Sequence, residues 1–243
     1  MTSHSIAAPR LDSNSAATIS WSTLYGHRKR AARRLGDVYD LPLAKRVRDL
    51  LLGELGELSN TVARPAVLEV GAGDRSMGLS IAERFPLVGY QSLDIDPQGN
   101  HDYHDWSEVD RQFDAVFAFE VIEHLPIEAI PGWLDQIATR LAPGGRLLIS
   151  TPNTYYPPAY LRDATHRTPL CYDELAGLVS AAGLEVDRVV RIYHDPVHRK
   201  LLKRFAFGWL FRLLGFDYAR QIVLVAHRSA EPLSAAVEHR AAA

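Results

Sequence analysis

The stretch VLEVGAGDRSMG, Val67 to Gly78, runs from an apolar segment through an acidic residue into a glycine-rich turn and then a helical pattern. That order marks the first strand–turn–helix unit of an open parallel sheet, with a ligand at the turn. Glycines let the backbone approach a ligand closely, and the helix that follows offers free N–H groups. A dinucleotide site requires a third glycine, GxGxxG, with pyrophosphate at the helix end. Here Ser76 stands where that glycine belongs, and Glu69 so near the turn would repel a pyrophosphate. The loop suits a ligand with a positive end; a plain tight turn between strand and helix is the competing reading.

Further along, SLDIDPQ closes a second apolar run about 20 residues past the turn, the spacing at which an acidic side chain reaches the ribose hydroxyls of an adenosine ligand. Asp94 is the candidate and Asp96 the alternative. An isolated aspartate at a strand end is often only a turn residue or helix cap, and its distance from the glycine loop is what sets this one apart.

Beyond Pro65, short runs of Val, Leu and Ile alternate with helical stretches, the rhythm of βαβ units. Strands are predicted near 66–70, 88–94, 113–118, 145–150, 185–193 and 220–227, with a weaker one near 100–103. Helices are predicted at 76–85, 127–141 and 172–182, with Gly144 and Gly183 as stop or turn residues after the last two. Trp21 to Leu58 reads as helical, first through YGHRKRAARRL and then, after Pro42, through LPLAKRVRDLLLGELGELS, with Leu43, Val47, Leu50 and Leu51 on one face. Thr151 to Leu170 is too rich in Pro and Tyr to be regular, and a long loop after a buried strand is usually functional.

With 243 residues, 47% of them hydrophobic, the chain forms a single domain over 21–228, between disordered ends at 1–20 and 229–243. A formal charge of −2 gives no support for a nucleic-acid binder held by phosphate electrostatics. One cysteine, Cys171, excludes an internal disulfide, a cysteine zinc cage and a CxxC pair, and fits a reducing cytoplasm. Neither a signal-peptide core nor a membrane-length apolar run is expected.

Four segments, VLEVGAGDRS, LDIDP, FDAVFAFEVIEHLP and LAPGGRLLISTPN, stand in an order and at spacings that resemble the class I S-adenosylmethionine-dependent methyltransferases. The similarity is greatest to the type-11 and type-23 domain group, which includes ubiquinone-pathway and sugar methyltransferases, and it covers about Val67 to Gly183. It implies an α/β fold: a Rossmann-like, doubly wound, seven-stranded sheet, its last strand antiparallel, with the N-terminal helices and the 151–170 loop capping the cofactor. It also implies S-adenosylmethionine as cofactor, with Glu69, Gly71, Ala72 and Gly73 along its methionine part. Asp94 and Ile95 would face the ribose and base, Asp105 the adenine amino group and Trp106 the adenine ring. Phe119 and Glu120 would lie beside the transferring methyl. Arg75 departs from the family pattern, standing where many members have another glycine. Trp106 has a rival reading as a core or rim aromatic, and Asp114 reads as a strand-entry residue.

A hydroxyl acceptor benefits from a base of near-neutral pKa, which points to histidine. His166, in the loop with Asp163 three residues earlier, and His124, in EVIEHLP, are the candidates; their bland alternatives are a solvated histidine and a structural one. Asp163 and Glu123 are available as oxygen ligands, but no dense cluster stands in the sequence and no metal is assigned.

Two basic segments remain, HRKRAARR at 27–34 and HRKLLKRFAFGWLFRLLGF at 198–216. The second, within a basic amphipathic insertion at 195–218, reads as an interfacial helix in peripheral contact with an anionic membrane or covering a hydrophobic acceptor, against the alternative of a helix packed on its own domain. The expected partner is a small-molecule or lipid-linked acceptor in glycan or cell-envelope metabolism, with a quinone-like phenol as alternative. A nicotinamide-dependent oxidoreductase and a catalytically silent scaffold are the rivals of other classes. The oligomeric state is left open.

Overall fold

The computed structural model describes residues 20–230; the expectations for residues 1–19 and 231–243 lie outside it. Seven strands form one sheet: β1 Leu43–Ala44, β2 Ala66–Val70, β3 Gly89–Leu93, β4 Phe113–Phe119, β5 Leu141–Pro152, β6 Glu185–Ile192 and β7 Gln221–His227. Their order is β1-β6-β7-β5-β4-β2-β3. Every pairing is parallel except those of β7, which runs antiparallel to both β5 and β6. The sheet is thus the expected one, with one difference in its membership. The seventh strand is not 100–103, which contributes a single bridge, Leu93 to Tyr103. It is Leu43–Ala44, at the far edge.

The physical reason lies in Pro42 and its neighbours. Pro42 disfavours helix in the residue before it, so the helical reading of LPLAKRV fails at its start. Leu41 stays extended, the carbonyls of Pro42 and Ala44 accept from the backbone N–H groups of Arg191 and Tyr193, and the helix begins only at Val47.

Among the described residues there are eight α-helices: α1 Trp21–Leu35, α2 Val47–Ser59, α3 Ser76–Arg84, α4 Ile130–Arg140, α5 Pro157–Leu161, α6 Tyr172–Ala181, α7 Val197–Leu201 and α8 Gly208–Leu214. Along β2 and β4, alternate side chains feed opposite layers, as the pleat requires. Leu68, Val70, Val116 and Ala118 meet α4 and α6 through Leu134, Ile137, Leu175 and Val179. Val67, Ala115 and Phe117 meet α2 and α3 through Leu51, Leu55 and Ile81. Burying each such Leu or Ile contributes about 2 kcal/mol. α1 lies along α6, where Gly177 has no side chain to keep the helices apart: a Cβ there would come within 2.8 Å of the Arg28 nitrogen.

The 151–170 segment is less irregular than its composition suggests. β5 continues to Pro152, and Pro157 and Pro158 open the short helix α5, where a missing N–H costs nothing. Gly144 and Gly183 take left-handed conformations after α4 and α6, as expected of turn residues.

Candidate active site

The glycine loop leaves β2 at its C-terminal end. Gly71 donates from its backbone to Leu93 at 2.8 Å and takes φ +71°. Val121 occupies the space where a side chain at Gly71 would stand, so the loop and the turn after β4 are packed against each other. Gly73, at φ +47°, has open space within 4 Å of its Cβ position. Ala72 is buried behind the loop. Arg75 takes the left-handed conformation at φ 58°, the position where the family pattern has glycine. Its guanidinium then reaches the Asn100 carbonyl at 2.7 Å and Asp102 at 3.4 Å, and it covers the Tyr90 ring at 5.6 Å. These contacts offset the strain of that backbone, about 1 kcal/mol.

Glu69 is buried beneath the loop and accepts a hydrogen bond from the Tyr90 hydroxyl. Burial pushes its carboxyl up to about 7, against the lowering effect of that hydrogen bond. Tyr90 was not singled out by sequence reasoning. The one signal for it is Gly78, where a Cβ would stand 2.4 Å from the Tyr90 ring.

Asp94 lies across the loop, one oxygen accepting from the Gly73 N–H at 2.8 Å and the other from the Asp96 N–H at 3.0 Å. Asp96 only caps its own turn, accepting from the Gln98 N–H. Ile95 is 80% exposed, an apolar surface left open beside the loop. Asp105 caps the turn at Trp106–Glu108 by accepting from Ser107 at 2.8 Å, and this bond and its neighbours hold its carboxyl below the usual range. Trp106 packs on the core edge with the Arg140 guanidinium 5.4 Å from its ring centre, a placement that favours the rim-aromatic reading. Asp114 accepts from the Ala66 N–H at 2.8 Å, the strand-entry role expected of it.

The turn after β4 carries the second half of the site. Phe119 ends the strand, tilted against Phe117, and Glu120 follows with φ 56°. The Ser150 hydroxyl donates to the Glu120 carboxylate at 2.9 Å. His124 and His166, distant in sequence, stand with ring centres 4.9 Å apart. The bridge between their segments is backbone: Arg167 and Thr168 both donate to the Glu123 carbonyl, at 2.7 and 3.0 Å.

The tautomers of both rings follow from their partners. Nδ1 of His166 is 2.7 Å from the Tyr160 carbonyl, which can only accept, so Nδ1 carries the proton and Nε2 the lone pair. The Thr165 hydroxyl spends its proton on Asp163 at 2.6 Å and therefore accepts from Nδ1 of His124 at 3.0 Å. Both Nε2 lone pairs are thus free. Asp163 acts on His166 only at 3.9 Å, and its bonds to Thr165 hold its own carboxyl low.

Beside these rings lies Glu123, fully buried, with neither carboxylate oxygen hydrogen-bonded among the described residues and Oε1 4.0 Å from Nε2 of His166. Burial and the neighbouring Glu120 both push its carboxyl upward, and burial raises Glu120 as well. Donor atoms of Glu123, His124 and His166 lie within 4.8 Å of one another. This cluster draws on two separate segments, which is why no dense ligand run appears in the sequence.

A cleft of about 570 Å³ adjoins this half of the site, walled by Leu24 and Tyr25 of α1, Pro126, Ile127, Pro169 and Leu170. Arg28 of the first basic segment also borders the cleft, but it is engaged with Asp173 and Glu174 of α6, at 2.8 and 2.7 Å. That arginine therefore belongs to helix packing and not to phosphate binding.

The residues present fit a ligand with an adenosine end and a cationic end: open space at Gly73, a buried carboxyl at Glu69, Asp94 across the loop and exposed Ile95 beside it. Fold and site together define a methyltransferase built on a Rossmann-like sheet. The chain belongs to the methyltransferase domain family, whose model matches residues 39–221.

A solved S-adenosylmethionine-dependent methyltransferase from Archaeoglobus fulgidus is similar at 16% identity and TM-score 0.54, over 74% of this chain and 94% of that one. A Galdieria sulphuraria chain described as a candidate sarcosine dimethylglycine methyltransferase is similar at 17% identity and TM-score 0.54, over 77% and 87%. A candidate methyltransferase from Bacillus halodurans is similar at 15% identity and TM-score 0.51, over 73% and 98%. At these identities the likeness is one of fold. No curated protein matches the chain by sequence.

Proposed function

We propose that this methyltransferase acts in the cytoplasm on a hydroxyl of a glycan, sugar-nucleotide or lipid-linked acceptor of cell-envelope metabolism, with His166 as the base. S-adenosylmethionine supplies an electrophilic methyl group on a sulfonium centre. Glu69 and the Gly71–Gly73 loop take the cationic methionine end, Asp94 the ribose hydroxyls and Ile95 a face of the base. The acceptor oxygen forms its bond to the methyl carbon as the carbon–sulfur bond breaks, and Nε2 of His166 receives the hydroxyl proton. Positioning of oxygen and methyl in line supplies much of the rate.

The observation that carries this reading is the hydrogen bond from His166 Nδ1 to the Tyr160 carbonyl, which leaves Nε2 a free lone pair beside the turn after β4. A hydroxyl needs such a base, whereas an amine that arrives neutral does not. The mostly apolar cleft lined in part by Arg167 and Thr168, which follow His166 in the chain, supports an acceptor with a hydrophobic portion.

The buried Glu123 carboxyl beside the two histidines favours a second reading, in which Glu123, His124 and His166 hold a divalent cation that orients the acceptor oxygen. Titration with S-adenosylhomocysteine, with NAD in parallel, followed by transfer of labelled methyl to a panel of sugar nucleotides, lipid-linked glycans and phenols, tests the proposal. Transfer to a hydroxyl of the first two groups supports it; transfer to phenols alone moves the acceptor class, and binding without transfer to any acceptor favours the silent scaffold.

A further inference from the structure

The insertion between β6 and β7 carries five Lys and Arg and no Asp or Glu from Pro196 to Phe216. It folds as α7, one π-helical turn at Leu202–Ala206, and α8. Its large apolar side chains point outward. Phe205 is 75% exposed, Leu213 72% and Trp209 65%, with Leu214, Leu202 and Phe216 also exposed. The expectation of a helix packed on its own domain therefore fails for this face: more than half of the exposed large hydrophobics of the described residues lie in this one segment. Contiguous patches of this kind mark a surface that another phase or molecule covers.

Cations interleave the patch. Lys203 pairs with Asp195 at 2.6 Å, Arg212 pairs with Asp40 at 2.8 Å, and Lys200 lies over the Tyr193 ring at 4.2 Å. Arg199 and Arg204 have no acidic partner among the described residues, and both are exposed. The C-terminal half of the segment is anchored to the domain. Asp217 is buried, paired with Arg191 at 3.0 Å and accepting from the Asn153 amide at 2.9 Å. The hydroxyl of Tyr39 donates to the Phe211 carbonyl.

We propose that residues 196–216 dock this methyltransferase on an anionic lipid surface, with the aromatic and leucine side chains in the headgroup layer and Arg199 and Arg204 on lipid phosphates. Aromatic residues mixed with arginine and without acids match that interface in both polarity and charge. A second copy matches it poorly, since a twofold contact would set the exposed Arg199 and Arg204 of one copy, which have no acidic partner among the described residues, against the same patch of the other. No helix of the described residues is long and apolar enough to cross a membrane, so the segment lies on the surface.

Its position gives the docking a consequence. Ile192 and Pro152 both pair with Gln221, which puts the insertion at the C-terminal ends of the parallel strands, the rim that also carries Glu120 and the glycine loop. The enzyme would face the bilayer with its acceptor side, which suits the lipid-linked member of the acceptor classes proposed above. The docking itself does not depend on that reading.

The test is flotation of the purified full chain with vesicles of phosphatidylcholine alone and of phosphatidylcholine with phosphatidylglycerol, together with R199E/R204E and F205S/L213S variants. S-adenosylhomocysteine affinity is measured on each variant as a fold check that is independent of the acceptor. Wild type is expected on the anionic vesicles only, and R199E/R204E is expected to lower that partitioning on the order of tenfold with cofactor affinity unchanged. Absence of wild type from anionic vesicles, or equal partitioning to both compositions, overturns the proposal. So does a self-associating wild type, seen by sedimentation velocity, whose association F205S/L213S abolishes.

Discussion

A side-chain carbon on Gly71 would stand 2.4 Å from Cγ2 of Val121. The glycine loop after β2 and the turn after β4 are therefore packed against each other, which joins the halves of the site proposed for the cofactor and the acceptor. Both backbones are also unusual at this junction, with left-handed φ at Gly71, Gly73, Arg75 and Glu120. Strain concentrated at one point of an otherwise regular sheet is the mark of a functional constraint.

Gly71→Ala is expected to fail on two counts, left-handed φ and overlap with Val121, costing about 1–3 kcal/mol of stability. Calorimetry should show S-adenosylhomocysteine affinity reduced by more than about tenfold, given how far the loop must shift. Adding Val121→Ala should recover the packing part only. Wild-type affinity in the single variant would contradict the contact.

The raised carboxyl of Glu69 predicts how cofactor binding changes with pH. Burial holds its proton to about 7 in the folded chain, above its ordinary value of 4.5. This group therefore stabilises the ligand-free fold at low pH, and its contribution is lost as pH rises through about 7. The ligand's ammonium group favours the ionised form, so S-adenosylhomocysteine should bind more tightly as pH rises from about 6 to 8, releasing a proton. Glu69→Gln should bind more weakly and flatten this profile. A slope that persists in the variant would assign the proton elsewhere.

Asp94→Ala removes an acceptor that holds both the Gly73 and Asp96 N–H groups in addition to the ribose role proposed for it. Hydrogen bonds to a charged group are worth about 1.5–3 kcal/mol, so affinity for S-adenosylhomocysteine should fall roughly tenfold or more. Asp94→Asn keeps one acceptor and should lie between. If Ala leaves affinity unchanged, the ribose is held by another residue.

Gly71, Gly73 and Asp94 were legible because each follows from a local pattern: glycines between a strand and a helix, and an acid at the next strand's end. The sheet was legible for the same reason, apart from its edge, since the two-residue strand Leu43–Ala44 has no periodicity of its own and exists only by pairing with β6. The environment of Glu123 was hidden. Its burial and its place beside His166 are made by the chain returning at Arg167 and Thr168, and a contact across that separation leaves no mark in either segment. Tyr90 was hidden likewise, being a plain strand residue until β3 lies beside β2 and brings its hydroxyl to Glu69.

The two readings of the histidine cluster separate in a single series of variants. If His166 is the base, His166→Ala should lower turnover by about 10²–10⁴ with S-adenosylhomocysteine affinity nearly unchanged, because His166 meets the acceptor side and not the glycine loop. A chelator should leave wild-type turnover intact. In the cation reading, the chelator abolishes turnover, added divalent metal restores it, and Glu123→Gln is as damaging as His166→Ala. Glu123→Gln has a further use. It replaces a buried carboxyl, pushed up to about 8 and so mostly uncharged at neutral pH, with an uncharged amide of nearly the same size, so under the base reading stability at pH 7 should change little. Full turnover in His166→Ala would exclude both roles and leave His124, whose Nε2 is also free, as the group to test next.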